Sequence, residues 1–234
     1  MCGRFVQAAD PEIYADMFHV DRVVAAVLPA SYNVAPTDQV YAVAAHDGER
    51  LLGSFSWGLV PWWAKDRRIG ARNINARVET VAIKAAFRDS LAGRRCLIPA
   101  DGFYEWQARP NGKLPHYVHR GDGSPIAFAG LWASWKDKQT EQRLRTCTIL
   151  TGQPNATVAP IHDRMPVMLH RAAWATWLDP TVTDPEVLLP LLALGANADL
   201  TAHPVSTLVN KVANNLPQLI EPLTIPAADP LPGG

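Results

Sequence analysis

Three separated stretches of this chain carry residues that could do covalent or proton-transfer chemistry, and a fourth could hold a polyanion. The first is Met1-Cys2-Gly3-Arg4-Phe5. A side chain as small as that of Cys2 lets the initiator methionine be removed, and the chain would then begin with an amine and a thiol one carbon apart. Such a pair condenses with an aldehyde to an imine, on which the thiol closes a five-membered thiazolidine ring. Ordinary pKa values of about 8 for the amine and about 8.5 for the thiol need only modest tuning. The second stretch is Asp101-Gly102-Phe103-Tyr104-Glu105-Trp106. Glu105 stands between two aromatics, a setting that strips solvent from a carboxylate and raises its pKa toward neutrality, where it can both give and take a proton. The third is Pro160-Ile161-His162-Asp163-Arg164-Met165-Pro166, a proline-bounded loop presenting an imidazole, the side chain suited to moving protons near pH 7. The fourth runs from Val60 to Asn75, where Trp62 and Trp63 precede Lys65, Arg67, Arg68 and Arg72. Bases stack on such rings while the cations follow a phosphate backbone.

Composition bounds these readings. A chain of 234 residues can bury one sizeable core and is expected to form one domain, at most two. No apolar run is long enough to span a bilayer, and no basic segment followed by an apolar one opens the chain, so a cytoplasmic home is expected. Cys2, Cys96 and Cys147 form an odd set without a CxxC pair, which argues against a disulfide scaffold or a cysteine zinc site. No metal or cofactor is expected. Cys96 and Cys147 lie in apolar runs and read as inert core, leaving Cys2 as the thiol for chemistry. The formal net charge is zero, yet nine Lys and Arg stand against three acids between Pro61 and Arg95, and one Lys against six acids from Asp179 onward. A neutral protein with a basic middle can still bind a polyanion on one face.

These residues must be positioned by a fold, and the pattern is mixed. Asp10-Pro11-Glu12 signals a helix start, and Ile13, Met17, Val20, Val24 and Val27 recur at helical spacing, predicting one helix with a core-facing stripe that ends near Pro29. Tyr32–Pro36 reads as extended, and Val40–Ala45 and Leu51–Leu59 form a hairpin about Asp47-Gly48. A helix is expected over Val78–Leu91, with Gly93 suited to its C-cap. Strands are expected on both sides of Asp101-Gly102, which reads as a turn or a bulge, then at His116–Arg120, Ile126–Trp135, Leu144–Thr151 and Thr201–Ser206. Helices are expected at Ala172–Leu178 and Pro185–Leu194. Asn210, Asn214 and Asn215 lie in a polar stretch that would close a site or a turn.

Read together, MCGRF, RNINARVET, DGFYEW and IHDRMPVML, with YNVAP and HPVS, resemble the SOS response-associated peptidase (SRAP) family across roughly residues 1 to 222. The resemblance implies an abasic site processing protein of the DNA damage response. It would crosslink through the processed Cys2 to the ring-opened sugar aldehyde of an abasic site in single-stranded DNA and shield the lesion. On matching positions Asn75 would hold the Cys2 amine or the sugar oxygen, Glu105 would shuttle protons, and His162 would help open the sugar. Arg4, Arg77 and Arg164 would grip flanking phosphates, and Trp62 and Trp63 would pack against a displaced base. The peptidase label reflects a proposed removal of residues ahead of the cysteine; only Met1 precedes it here, so an ordinary aminopeptidase could suffice. The family often has an Arg before the YNVAP segment, where this chain has Ser31.

The expected architecture is α+β, a single SRAP-like domain over residues 1–225 with a mainly antiparallel, barrel-like β core flanked by helices, then a disordered tail at 226–234. The chain would act as a monomer on single-stranded DNA, associated with the nucleoid when bound. Two other classes fit parts of the sequence. Glutamine amidotransferases with an N-terminal nucleophile also begin Met-Cys-Gly, but usually continue with an apolar residue where this chain has Arg4. A non-covalent single-strand binding module would use only Trp62, Trp63 and the basic stretch.

Overall fold

In the computed structural model of the protein, the described residues are 2–193, 195 and 199–223. The expected tail lies outside them. The first half of the chain runs β1 (Arg4–Gln7), α1 (Pro11–Phe18), β2 (Arg22–Val23), β3 (Ser31–Val34), β4 (Gln39–His46), β5 (Glu49–Trp57) and β6 (Asn75–Arg77). It continues with α2 (Arg88–Gly93), β7 (Arg95–Ala100), β8 (Gly102–Arg109), β9 (Gly112–Arg120), β10 (Ile126–Lys136) and β11 (Arg143–Gly152). Last come β12 (Met165–Pro166), α3 (Trp174–Leu178), α4 (Pro185–Leu191) and β13 (Leu200–Pro204). No helix among the described residues is long and apolar enough to cross a membrane.

The strands form two sheets. One has the order β13-β9-β8-β1-β3, so the first strand of the chain lies between two neighbours. The other follows β12-β11-β10-β7-β4-β5-β2, with β6 added beside β11. A parallel pairing of β5 with β11 joins Thr146 to Ser56 and Cys147 to Trp57. It closes β5, β4, β7, β10 and β11 into a barrel. The other four contacts around that ring are antiparallel, and five strands of alternating direction cannot close without one parallel pair. This is the α+β, barrel-like core expected from the sequence.

Strand alternation divides the barrel residues between two cores. Tyr41, Val43, Leu97 and Leu150 pack with Tyr14 and Phe18 of α1 and Trp174 and Trp177 of α3. Val40, Ala42, Ile98, Phe128 and Ile149 pack instead with Cys2, Phe5, Phe103 and Val118 from the five-stranded sheet. Phe5 meets Trp57 and Phe128 edge-on at 5.0 and 6.1 Å between ring centroids. Cys96 and Cys147 are buried in this second core as free thiols.

The hairpin of β4 and β5 turns at Asp47 and Gly48, with φ of 51° and 83°, the left-handed pair that a two-residue turn needs. Three expected helices are shorter than their patterns. The first ends at Phe18, because His19 adopts a left-handed conformation and its N–H caps the carbonyls of Ala15 and Asp16. Residues 22–23 are then captured as a parallel strand beside β5. The inward face of α1 carries Tyr14 and Phe18; of the expected stripe Met17 and Val20 pack partly buried against the same core, while Ile13 and Val24 are exposed and Val27 is 82% exposed. A backbone partner at a sheet edge outweighs a helical period written in valines, which are mediocre helix formers. In the second, residues 78–87 make turns and only Arg88–Gly93 is helical. The Val78 N–H is bonded to Thr151 O, which ties the start of this segment to β11. Gly93 is the last helical residue, and Arg94 caps it at a φ of −129°. Helix α4 ends at Leu191, short of the expected boundary.

The Asp101-Gly102 pair is neither a hairpin turn nor a bulge within one strand; it is the corner where the chain leaves the barrel at β7 and enters the five-stranded sheet at β8. Asp101 Oδ2 accepts from the backbone N–H groups of Ala8 and Ala9 at 2.6 and 3.0 Å, and Oδ1 accepts from the Tyr14 hydroxyl at 2.9 Å. A Cβ on Gly102 would lie 2.5 Å from the Tyr117 ring. One carboxylate therefore fixes the end of β1 against the start of β8. Asp101→Ala strands three donors, and we predict a loss of about 2–4 kcal/mol in unfolding free energy by denaturant titration.

Candidate active site

The site lies where the two sheets meet. From the five-stranded sheet come Cys2 and Glu105. The antiparallel register of β1 and β8 pairs Arg4 with Tyr104 and Phe5 with Phe103, so residues just ahead of β1 run level with Glu105 and Trp106. Gln7, at the other end of β1, is buried and bridges to the barrel, donating to Tyr41 O and Pro99 O and accepting from Tyr41 N–H. From the barrel side come Asn75 and His162. Asn75 opens β6, which lies parallel to β11, and its Nδ2 donates to Cys2 O at 2.7 Å. Its Oδ1 is buried without a hydrogen-bond partner among the described residues.

Burial governs the electrostatics. Cys2 is 0% exposed and its thiol is pushed well above the ordinary range, first by burial and then by the Glu105 charge. Glu105 is 1% exposed and burial raises its carboxyl to about 7. That is the shift its aromatic neighbourhood predicts. His162 Nε2 lies 3.9 Å from Glu105 Oε2, beyond a direct hydrogen bond but within strong Coulomb range. Burial also holds the His162 imidazole below its ordinary pKa. Its Nδ1 is approached from two sides, by the Arg164 N–H at 3.1 Å, which needs a lone pair, and by Asp163 Oδ1 at 2.8 Å, which needs a proton. The Asp163 side chain is 86% exposed and solvated. We therefore assign the neutral ring with Nδ1 accepting the amide and Nε2 carrying the proton toward Glu105.

The remaining sequence candidates surround this centre in different ways. Arg4 Nη1 donates to Asn33 Oδ1 at 2.8 Å and to Val209 O at 3.0 Å, and burial lowers its pKa. Arg77 is exposed on β6. Arg164 directs both terminal nitrogens at Glu79, at 2.8 and 2.9 Å. Trp62 and Trp63 are 63% and 44% exposed. Trp62 is steadied by Asp89, and Trp63 lines a shallow cleft of about 470 Å³ with Lys65, Arg68 and Arg72. The polar stretch near the end closes over β3: Asn33 Nδ2 donates to the carbonyls of Val209, Lys211 and Asn214, and Asn215 bonds to Tyr32 N–H and Ala30 O. Sequence reasoning counted Glu79 only as an acid within a basic stretch and passed over Gln107, whose Nε2 donates to Pro160 O at 3.1 Å. No spacing signal marks either, because their partners lie 85 and 53 positions away. Among the described residues no group of three or more His, Cys, Asp or Glu side chains could hold a metal ion.

With that geometry and fold, the chain belongs to the SOS response associated peptidase (SRAP) family, which it matches over residues 1–212. Its relatives include abasic site processing protein YoqW of Bacillus subtilis, 41% identical over 227 residues that cover 94% of this chain and 99% of the relative. Abasic site processing protein YedK of Escherichia coli is 31% identical over 233 residues, covering 95% and 100%. A solved structure from Bacteroides thetaiotaomicron shares the fold at a TM-score of 0.74 and 24% identity, covering 93% of this chain and 91% of that one. A phage-related protein of Bordetella bronchiseptica matches at 0.69 and 28% identity, covering 88% and 95%.

The Glu105 shift has a stability consequence. Between the ordinary value of 4.5 and about 7 the folded chain keeps a proton that the unfolded chain has released. The stabilisation this gives is full below pH 4.5 and is lost as pH rises through about 7. By linkage the loss is on the order of 3 kcal/mol. Glu105→Gln does not titrate, so we predict that it is more stable than the wild type at pH 8 by up to that order, with the difference vanishing near pH 4, read from urea midpoints at the two pH values.

Proposed function

We propose that this protein processes abasic sites in single-stranded DNA by capturing them covalently on Cys2. The observation that carries the reading is the meeting, at the start of the chain, of an α-aminothiol residue with a buried carboxyl of pKa about 7 and an imidazole 3.9 Å from it. The names of its relatives as abasic site processing proteins support the same reading.

The reading requires removal of Met1. The freed Cys2 amine then attacks the aldehyde carbon of the ring-opened sugar; a C–N bond forms, and the carbonyl oxygen leaves as water to give the imine. The Cys2 thiol adds to the imine carbon, forming the C–S bond while its proton passes to nitrogen, so the net change is loss of one water. Glu105 at a pKa near neutrality serves both halves, donating to the departing oxygen and accepting from the thiol, whose own raised pKa makes it dependent on a base. His162, with its Nε2 proton facing the same space, assists opening of the sugar ring. The Asn75 amide orients Cys2, and its buried Oδ1 is a ready acceptor for the amine or a sugar hydroxyl. The aldehyde form of such a sugar is scarce, so positioning and proton transfer set the rate. Arg77, Trp62 and Trp63 contact the strand directly, while Arg4 and Arg164 add positive potential. Any self-processing as a cysteine peptidase, or lyase activity toward the strand, would use this same centre.

Purified protein incubated with a single-stranded oligonucleotide bearing one abasic site should give a retarded band on a denaturing gel. The mass of that adduct should equal the chain without Met1 plus DNA minus one water. Cys2→Ala should give no band, and Glu105→Gln should slow its appearance by about 100-fold or more. Equal, reversible binding by wild type and Cys2→Ala would reduce the protein to a non-covalent binder, and glutamine hydrolysis without aldehyde capture would make it an amidotransferase.

A further inference from the structure

The segment that presents His162, residues 153–164, joins β11 to β12 and is held both within itself and from the elements around it. β12 pairs Pro166 with Thr151 and Met165 with Gly152. Val158 is fully buried, and its carbonyl accepts from the N–H groups of Ile161 and His162 at 2.8 and 2.9 Å. Gln107 of β8 holds Pro160 from the other sheet. The last tie is ionic. Arg164 Nη1 and Nη2 donate to Glu79 Oε1 and Oε2, and Nη2 donates to Thr151 O at 2.6 Å. The Arg164 side chain is only 12% exposed; among the described residues its buried Nε has no hydrogen-bond partner and Glu79 is its ion-pair partner. The backbone N–H of the same Arg164 donates to His162 Nδ1.

We propose that Glu79 is a positioning residue for the chemistry, acting through the bidentate Arg164 fork to fix both the orientation and the tautomer of His162. The proposal rests on the reading of Cys2 as an aldehyde-capturing nucleophile. The fork locks the Arg164 plane and hence its amide; the amide occupies Nδ1; the ring proton is left at Nε2, facing Glu105. Among the described residues the other charged groups facing this imidazole are Asp163 beside it, which competes for Nδ1, and Lys113 of β9. Without Glu79 a buried guanidinium loses its counter-charge and turns toward solvent, carrying the amide away from the ring. The change also removes a negative charge from a DNA-facing region, so affinity for the strand holds or rises while the rate falls. Simple damage to the fold would weaken both.

The test uses the full chain with Glu79→Gln and, separately, Arg164→Lys, which keeps the charge but cannot form the fork. Crosslinking is followed across a range of abasic oligonucleotide concentrations, and hydrogen exchange is measured at the Arg164 amide. For Glu79→Gln we expect a maximal rate lower by about tenfold or more, with a half-saturating DNA concentration equal to or below that of wild type. The Arg164 amide should exchange at least about tenfold faster in both variants. Glu79→Gln should cost little beyond His162→Ala when the two are combined, because they act in one chain of contacts. A maximal rate within about twofold of wild type, or a loss that multiplies that of His162→Ala, overturns the proposal. If Glu79→Gln melts below the assay temperature, Arg164→Lys gives the same readings. A wild-type chain that forms no crosslink sinks the reading of Cys2 instead, and the amide exchange then decides by itself whether Glu79 holds the loop.

Discussion

The structure depends on the seating of the first strand inside a sheet. Chain starts usually fray because nothing binds their backbone groups. Here β1 has β8 on one side and β3 on the other, Gln7 ties it to the barrel, and Asp101 caps its far end. The residue two positions before it, Cys2, is thereby as buried as any core side chain. Loss of solvent is the largest cause of the raised pKa of both Cys2 and Glu105, so one packing decision sets the electrostatics of thiol and carboxyl together.

The centre is also a joint between two bodies of structure. Cys2 and Glu105 ride on the five-stranded sheet, whereas Asn75 and the His162 loop ride on β11 of the barrel. Their relative placement is set by the core that contains Phe5, Trp57, Phe103 and Phe128, with edge-on ring contacts running from one sheet to the other. A change in the packing of these rings would move Cys2 and His162 apart without touching either. Buried aromatics of this kind favour a restricted set of edge-on and offset geometries, which makes the joint stiff.

Much of this was legible in the residues, for reasons that can be named. A carboxyl between aromatics loses water wherever it is placed, and Asp47-Gly48 encodes its own turn. The α+β class followed from strands of clear alternation among short helical signals. Two helices were overestimated because valine and isoleucine at helical spacing can be pulled into strands and turns by a neighbouring sheet edge, and that edge is a long-range fact. The contact between Glu79 and Arg164 spans 85 positions, and no local pattern announces it. The Asp101-Gly102 corner was misjudged for a related reason: the dipeptide signals a change of direction, and only the tertiary structure shows that the change is between sheets.

The neighbour order of β1 sets a timetable for biosynthesis. Its partner β8 begins at Gly102, so roughly 100 residues must leave the ribosome before the first strand can be enclosed, an interval on the order of 5–20 s at ordinary elongation rates. Throughout that interval the segment bearing Cys2 lacks its β8 neighbour and stays open to solvent on that side. Once β8 arrives, the same segment becomes interior.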